Sequence, residues 1–134
     1  MRLELTNSLD EIPRVIAALE NLGACSDAGK GVLQAGELAL DELLTNIISY
    51  GYADSSRHSI LVDLSIDDDV LKLVITDDGV AFNPFAQEEP QCADSLEKQG
   101  VGGVGIHLVK KLMDQCSYSR EEQRNIVTLS KSLV

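Results

Sequence analysis

A chain of 134 residues, 44% apolar and 25% charged, has an ordinary globular balance and enough length to bury one core. Its formal net charge of −11 and pI near 4.4 argue against direct nucleic-acid binding, which needs clustered Lys and Arg to displace counterions. No apolar run approaches the roughly 18 residues of a membrane span, and MRLELTNSLDEIP lacks the apolar centre of a signal peptide, so no membrane association and a cytoplasmic location are expected.

In chain order, MRLELT alternates apolar and polar residues and predicts a short strand. Ser8 followed by Glu11 is a capping-box pattern opening a helix through VIAALENLGA, with Pro13 in its first turns and Gly23 as its stop. Ser26 or Asp27 is expected to cap a second helix that runs to about Tyr50, with Gly51 beyond it. HSILVDLSI and VLKLVITD, joined through Asp67, Asp68 and Asp69, predict a hairpin. DDGVAFNPF is turn-rich, and residues 86–100 read as a long loop of the kind that usually has a function. GVGGVGIHLVKKLMDQ carries glycines straight into an apolar-periodic helix. CSYSREEQRNIVTLSKSLV predicts a second hairpin turning near Glu121 to Asn125. No repeat or linker interrupts residues 1–134, so a single domain is expected. Helices on one side of a mixed, mainly antiparallel sheet give an α+β two-layer sandwich.

Three stretches carry chemistry. In ELALDELLTNIISYGYA, Glu42 and Asn46 stand one helical turn apart on one face. Alone, that pair is more often two solvated polar positions. Asp77-Asp78-Gly79-Val80-Ala81-Phe82 ends a strand, where an acid before glycine is either a plain turn or a carboxylate that accepts from an amine, with Gly79 leaving room for a flat ring. Gly100, Gly102, Gly103 and Gly105 stand ahead of a helix start, whose free N–H groups and dipole suit phosphate; the other reading is a hinge. G-K-[ST] is absent and the glycines do not sit in a βαβ unit, so neither a P-loop nor a dinucleotide fingerprint is present. Cys25, Cys92 and Cys116 are scattered and read as reduced thiols. His58 and His107 read as structural or solvated.

In this order, E-x-x-x-N, D-x-G-x-A-F and G-G-V-G-I resemble the N, G1 and G2 boxes of the GHKL ATPase superfamily, which includes gyrase-type topoisomerases, mismatch-repair ATPases and histidine kinases. The short stand-alone form is similar to the anti-sigma-factor serine/threonine kinases of bacterial partner switching. The resemblance implies the Bergerat ATP-binding fold and the cofactors ATP and Mg²⁺. It implies a protein serine/threonine kinase acting on an anti-sigma-factor antagonist, a possible sigma-factor partner, and a homodimer. Asn46 resembles the Mg²⁺-binding asparagine and Glu42 the general base. Asp77 resembles the adenine-reading aspartate, with Gly79 and Ala81 beside it. Gly102, Gly103, Val104 and Gly105 match the phosphate-contacting segment, residues 86–102 the ATP lid, and Thr128 a supporting threonine of the adenine site. Three positions depart from the pattern. Ala81 replaces a second glycine, Gly102 stands where some kinases have a basic residue (Lys98 being the candidate substitute), and Ser49-Tyr50-Gly51 replaces a His-Gly. Two other readings stay open: a nucleotide-dependent binding switch without phosphotransfer, and the catalytic part of a split histidine kinase.

Overall fold

The computed structural model describes residues 1–26, 28–86 and 103–133. Strand β1 (Arg2–Thr6) leads through a 3-10 turn at Leu9–Glu11 into α1 (Ile12–Ala24) and α2 (Lys30–Tyr50). Strands β2 (Ser59–Asp67) and β3 (Val70–Asp77) follow, then a 3-10 turn at Pro84–Ala86, α3 (Gly103–Leu112), β4 (Gln115–Glu121) and β5 (Arg124–Ser132). The sheet order is β1-β2-β3-β5-β4. The expected mainly antiparallel sheet is antiparallel in all four described pairings.

Strand alternation sets the layers. Leu3, Leu5, Ile60, Val62, Leu64, Leu71, Leu73, Ile75, Val127 and Leu129 point to one face and are buried. Against that face lie Val15 and Leu19 of α1, Leu40, Leu43 and Leu44 of α2, and Ile106 and Val109 of α3. Each such leucine or isoleucine removed from water contributes about 1.5–3 kcal/mol, so the apolar stripe of α2, not its propensity, holds that helix in place.

Both hairpins close through two-residue turns at positive φ, Asp68 and Asp69 (52° and 61°) and Glu122 and Gln123 (50° and 66°). This geometry matches the right-handed twist of the strands. The second turn is tighter than the sequence suggested, so Asn125 belongs to β5 and pairs with Asp77 of β3. Two helix starts also differ from expectation. Ser8 caps the 3-10 turn by accepting from the Asp10 N–H at 3.3 Å, and Glu11 accepts from the Thr6 N–H at 2.8 Å instead of closing a reciprocal box. Helix α2 begins after Gly29 with no side-chain cap, so its first turn is held by packing. Among the described residues, no helix is long and apolar enough to cross a membrane.

Candidate functional site

The C-terminal half of helix α2 carries the first residues of the site. Leu40, Leu43 and Leu44 anchor its core stripe, and this orientation turns Glu42 toward α3. There it meets Gly105: a Cβ built on that glycine would collide with the Glu42 carboxylate, so any side chain at 105 would displace one or the other. Burial pushes the Glu42 carboxyl up, and neighbouring Asp41 adds to the rise. One turn further on, Asn46 Oδ1 is buried with no hydrogen-bond partner among the described residues. Leaving a buried acceptor unpaired costs about 1–3 kcal/mol, so a side chain held in this way is usually there for something that arrives later.

Helix α2 stops at Gly51, whose N–H returns to the Ile47 carbonyl at 2.8 Å. The Gly51 carbonyl in turn accepts from the Val80 N–H at 2.8 Å, tying the end of α2 to the turn that follows β3. Gly79 fits beneath this contact, and a Cβ there would strike the Gly51 carbonyl and lie 3.0 Å from Asp77 Oδ1. Asp77 itself is 4% exposed. Its Oδ1 accepts from the Gly79 N–H at 2.8 Å and the Asn125 amide at 3.1 Å. Burial raises the Asp77 carboxyl, with the Asn125 and Gly79 hydrogen bonds pulling it down and Asp78 pushing it up again.

Asn125, also 4% exposed, was not among the sequence candidates. Its amide nitrogen also donates to the Val80 carbonyl at 2.8 Å. Its oxygen accepts from the Tyr118 hydroxyl at 2.5 Å and from Arg120 at 3.0 Å, while Arg120 also donates to the Gly79 carbonyl at 2.9 Å. A buried amide committed on both sides holds Asp77 in one rotamer. Thr128 does not join this group. It sits opposite Val74, three residues up β5, and strand alternation puts it on the face turned away from the helices and from Asp77. The fold thus brings Asn125, and not Thr128, against Asp77.

Of the other candidates, Ala81 is exposed just past the turn. Gly103 opens α3, ahead of Val104 and Gly105. Gly102, the lid span 87–102 and Lys98 lie outside the described residues. A separate hollow of about 560 Å³ between α1 and α2 is floored by Ile12, Ile16 and Leu38 and edged by Glu20, Glu37 and Asp41, and includes neither Glu42 nor Asp77. Burial, helped by nearby Glu20, pushes the Glu37 carboxyl up there.

His58 has a definite job at the base of β2. Nε2 meets Asp54 Oδ1 at 2.8 Å and Nδ1 meets Asp78 Oδ1 at 3.2 Å. The Asp54 hydrogen bond raises its pKa most, burial opposes, and Asp78 adds to the rise; Asp54 is held down at about 2, chiefly by the same hydrogen bond. A histidine raised above its unfolded value of about 6.5 stabilises the fold fully below that pH, and the contribution fades as pH climbs through the raised value. Thermal melts should therefore show the wild-type protein losing stability more steeply than His58→Gln as pH rises above about 6.5. Equal slopes would mean that the imidazole is neutral in the fold.

With this geometry in view, comparison with known proteins is informative. The histidine kinase-like ATPase domain family matches residues 5–131. The chain is 32% identical over 93 residues to the serine/threonine-protein kinase BtrW of Bordetella bronchiseptica, covering 69% of this chain and 66% of that protein. It is 24% identical over 95 residues to the anti-sigma F factor of Oceanobacillus iheyensis, covering 70% of this chain and 65% of that one. The match thus spans just under two thirds of each of these relatives. The solved RsbU and RsbW domains of Rv1364c from Mycobacterium tuberculosis share the fold, with a TM-score of 0.61 at 15% identity over 98% of this chain and 32% of that one.

Proposed function

The chain belongs to the histidine kinase-like ATPase domain family, and from that membership we propose that it is an anti-sigma regulatory kinase, using ATP and Mg²⁺ to phosphorylate a serine or threonine of an anti-sigma-factor antagonist. The proposal takes residues 1–134 as one ATP-binding domain, acting as a cytoplasmic homodimer with a sigma factor as its other partner. The observation that carries it is the pairing on α2: Glu42 pressed against Gly105, and one turn away Asn46 with a buried, unpartnered Oδ1.

Those residues fit the cofactor. Mg²⁺ here would take the unpartnered Asn46 Oδ1 and complete its shell with phosphate oxygens and water, as this ion prefers. From Glu42 to Gly51 the helix rises about 13 Å, on the scale of an extended nucleoside triphosphate lying with its base at Asp77. When bound, Mg·ATP supplies the phosphoryl group and the charge neutralisation that in-line transfer needs. Asp77 Oδ2, which has no protein partner among the described residues, accepts from the exocyclic amine of the base. Gly79 lets the turn after β3 close onto the Gly51 carbonyl, which keeps Asp77 beside the end of α2. Gly103, Val104 and Gly105 offer backbone N–H groups to the phosphates at the start of α3. Glu42 orients the attacking hydroxyl and takes its proton.

The relatives' names support a hydroxyl acceptor: BtrW is a serine/threonine kinase. Labelled ATP, Mg²⁺ and the antagonist co-purified with this protein should give acid-stable label on the antagonist. Acid-labile label would place the phosphate on histidine, and bound ATP with no label at all would reduce the protein to a nucleotide-dependent switch.

A further inference from the structure

One buried group is left unused by that reading. Tyr52 follows Gly51 at the end of α2, and its hydroxyl oxygen is buried with no hydrogen-bond partner among the described residues. The ring is not loosely placed. It stacks on the His58 imidazole with centroids 4.1 Å apart and planes 12° from parallel. His58 is itself clamped between Asp54 and Asp78, and the neighbouring Gly51 carbonyl is fixed by the Val80 N–H. The hydroxyl is thus held by rigid surroundings at the same turn that carries Asp77. Burial, then Asp77, then Asp78 push its pKa up, so the phenol keeps its proton and is a standing hydrogen-bond donor. A phenylalanine would fill the same space without a buried unpaired hydroxyl, so packing does not account for tyrosine here.

We propose that the Tyr52 hydroxyl is the second polar contact of the base site, donating directly or through one water to the ring nitrogen beside the amine that Asp77 accepts. This rests on the reading of Asp77 as the base contact, and it supplies what a carboxylate alone lacks. A carboxylate accepts equally well from the amine of adenine or from the N–H edge of guanine. An acceptor and a protonated donor side by side match the amine and adjacent ring acceptor of adenine, whereas guanine presents N–H groups to that donor. Tyr52 is in this sense a specificity-determining residue.

The test is calorimetric titration of ADP and GDP, with Mg²⁺, into the wild-type protein and Tyr52→Phe, together with the Tm of each protein without nucleotide. Expected are a roughly tenfold weaker ADP affinity, a smaller change for GDP, and a nucleotide-free Tm that is unchanged or higher, since the variant removes an unsatisfied buried group. ADP affinity within about twofold of wild type would overturn the proposal, because a lost hydrogen bond to the base must weaken binding. A fall in the nucleotide-free Tm would overturn it too, by showing that the hydroxyl already has a structural partner. If the wild-type protein bound no ADP, the failure would lie in the nucleotide reading beneath it, whereas binding by wild type and Tyr52→Phe alike would sink only the role of Tyr52.

Discussion

Asp77→Asn is expected to weaken ATP binding about 100-fold or more while the fold stays in place. Both protein hydrogen bonds to Asp77, from the Gly79 N–H and the Asn125 amide, end on Oδ1. The carbonyl oxygen of an asparagine can accept both, which leaves its NH₂ where Oδ2 stood. That NH₂ would face the exocyclic amine of the base, donor against donor. Losing the acceptor and stranding the amine together cost about 3 kcal/mol, which is the hundredfold. Burial dominates the environment of Asp77 and disfavours its charge, so neutralising the residue removes a strain as well as two charge-assisted bonds. Titration calorimetry and a melt of the nucleotide-free protein separate the two effects. Undiminished ATP affinity would take the base away from Asp77, and a collapsed melt would mean that the carboxylate chiefly holds the turn.

Glu42→Gln should lower phosphoryl transfer by about 10²–10⁴ and leave nucleotide affinity within about twofold. Glutamine has the shape of glutamate, so the tight fit against Gly105 survives and only proton acceptance is lost. The wild-type rate should also depend on pH in a definite direction. Burial and Asp41 raise the Glu42 pKa, so the base is disabled by protonation as pH falls, beginning above the ordinary glutamate range near 4.3. Single-turnover rates across that range should rise with pH for the wild-type protein and lie flat for Glu42→Gln. Transfer by the variant at the wild-type rate would remove Glu42 as the base and leave positioning and charge neutralisation to do the chemistry.

The parts of this molecule legible in its sequence are those set by local rules. The α2 stripe of Leu40, Leu43 and Leu44 has the helical period, and the hairpin at Asp68 and Asp69 is marked by two residues that tolerate positive φ. Glu42 and Asn46 could be paired because one turn of helix fixes their relation. Asn125 was hidden for the opposite reason. Its partnership with Asp77 depends on how β5 registers against β3, a pairing across more than forty residues that no local pattern specifies. A tight turn at Glu122 and Gln123, residues with no special taste for positive φ, gave no warning that β5 began so early, and Thr128 was chosen in its place. Tyr52 and His58 were equally obscure, because only the folding back of the segment after α2 stacks them beside the turn that follows β3.

Beyond β1, the sheet is two hairpins, β2–β3 and β4–β5, joined along β3 and β5, and the Asp77–Asn125 hydrogen bond is the last rung of that seam. Each hairpin can form from neighbouring residues, but the seam closes only when distant stretches of chain meet. Asp77 sits on one side of that seam, and the Asn125 amide that fixes its carboxylate comes from the other. A nucleotide held at Asp77 as proposed would favour the chain in which the two hairpins are already joined. Nucleotide bound only by the folded chain would then raise the free energy of unfolding with the logarithm of its concentration above Kd.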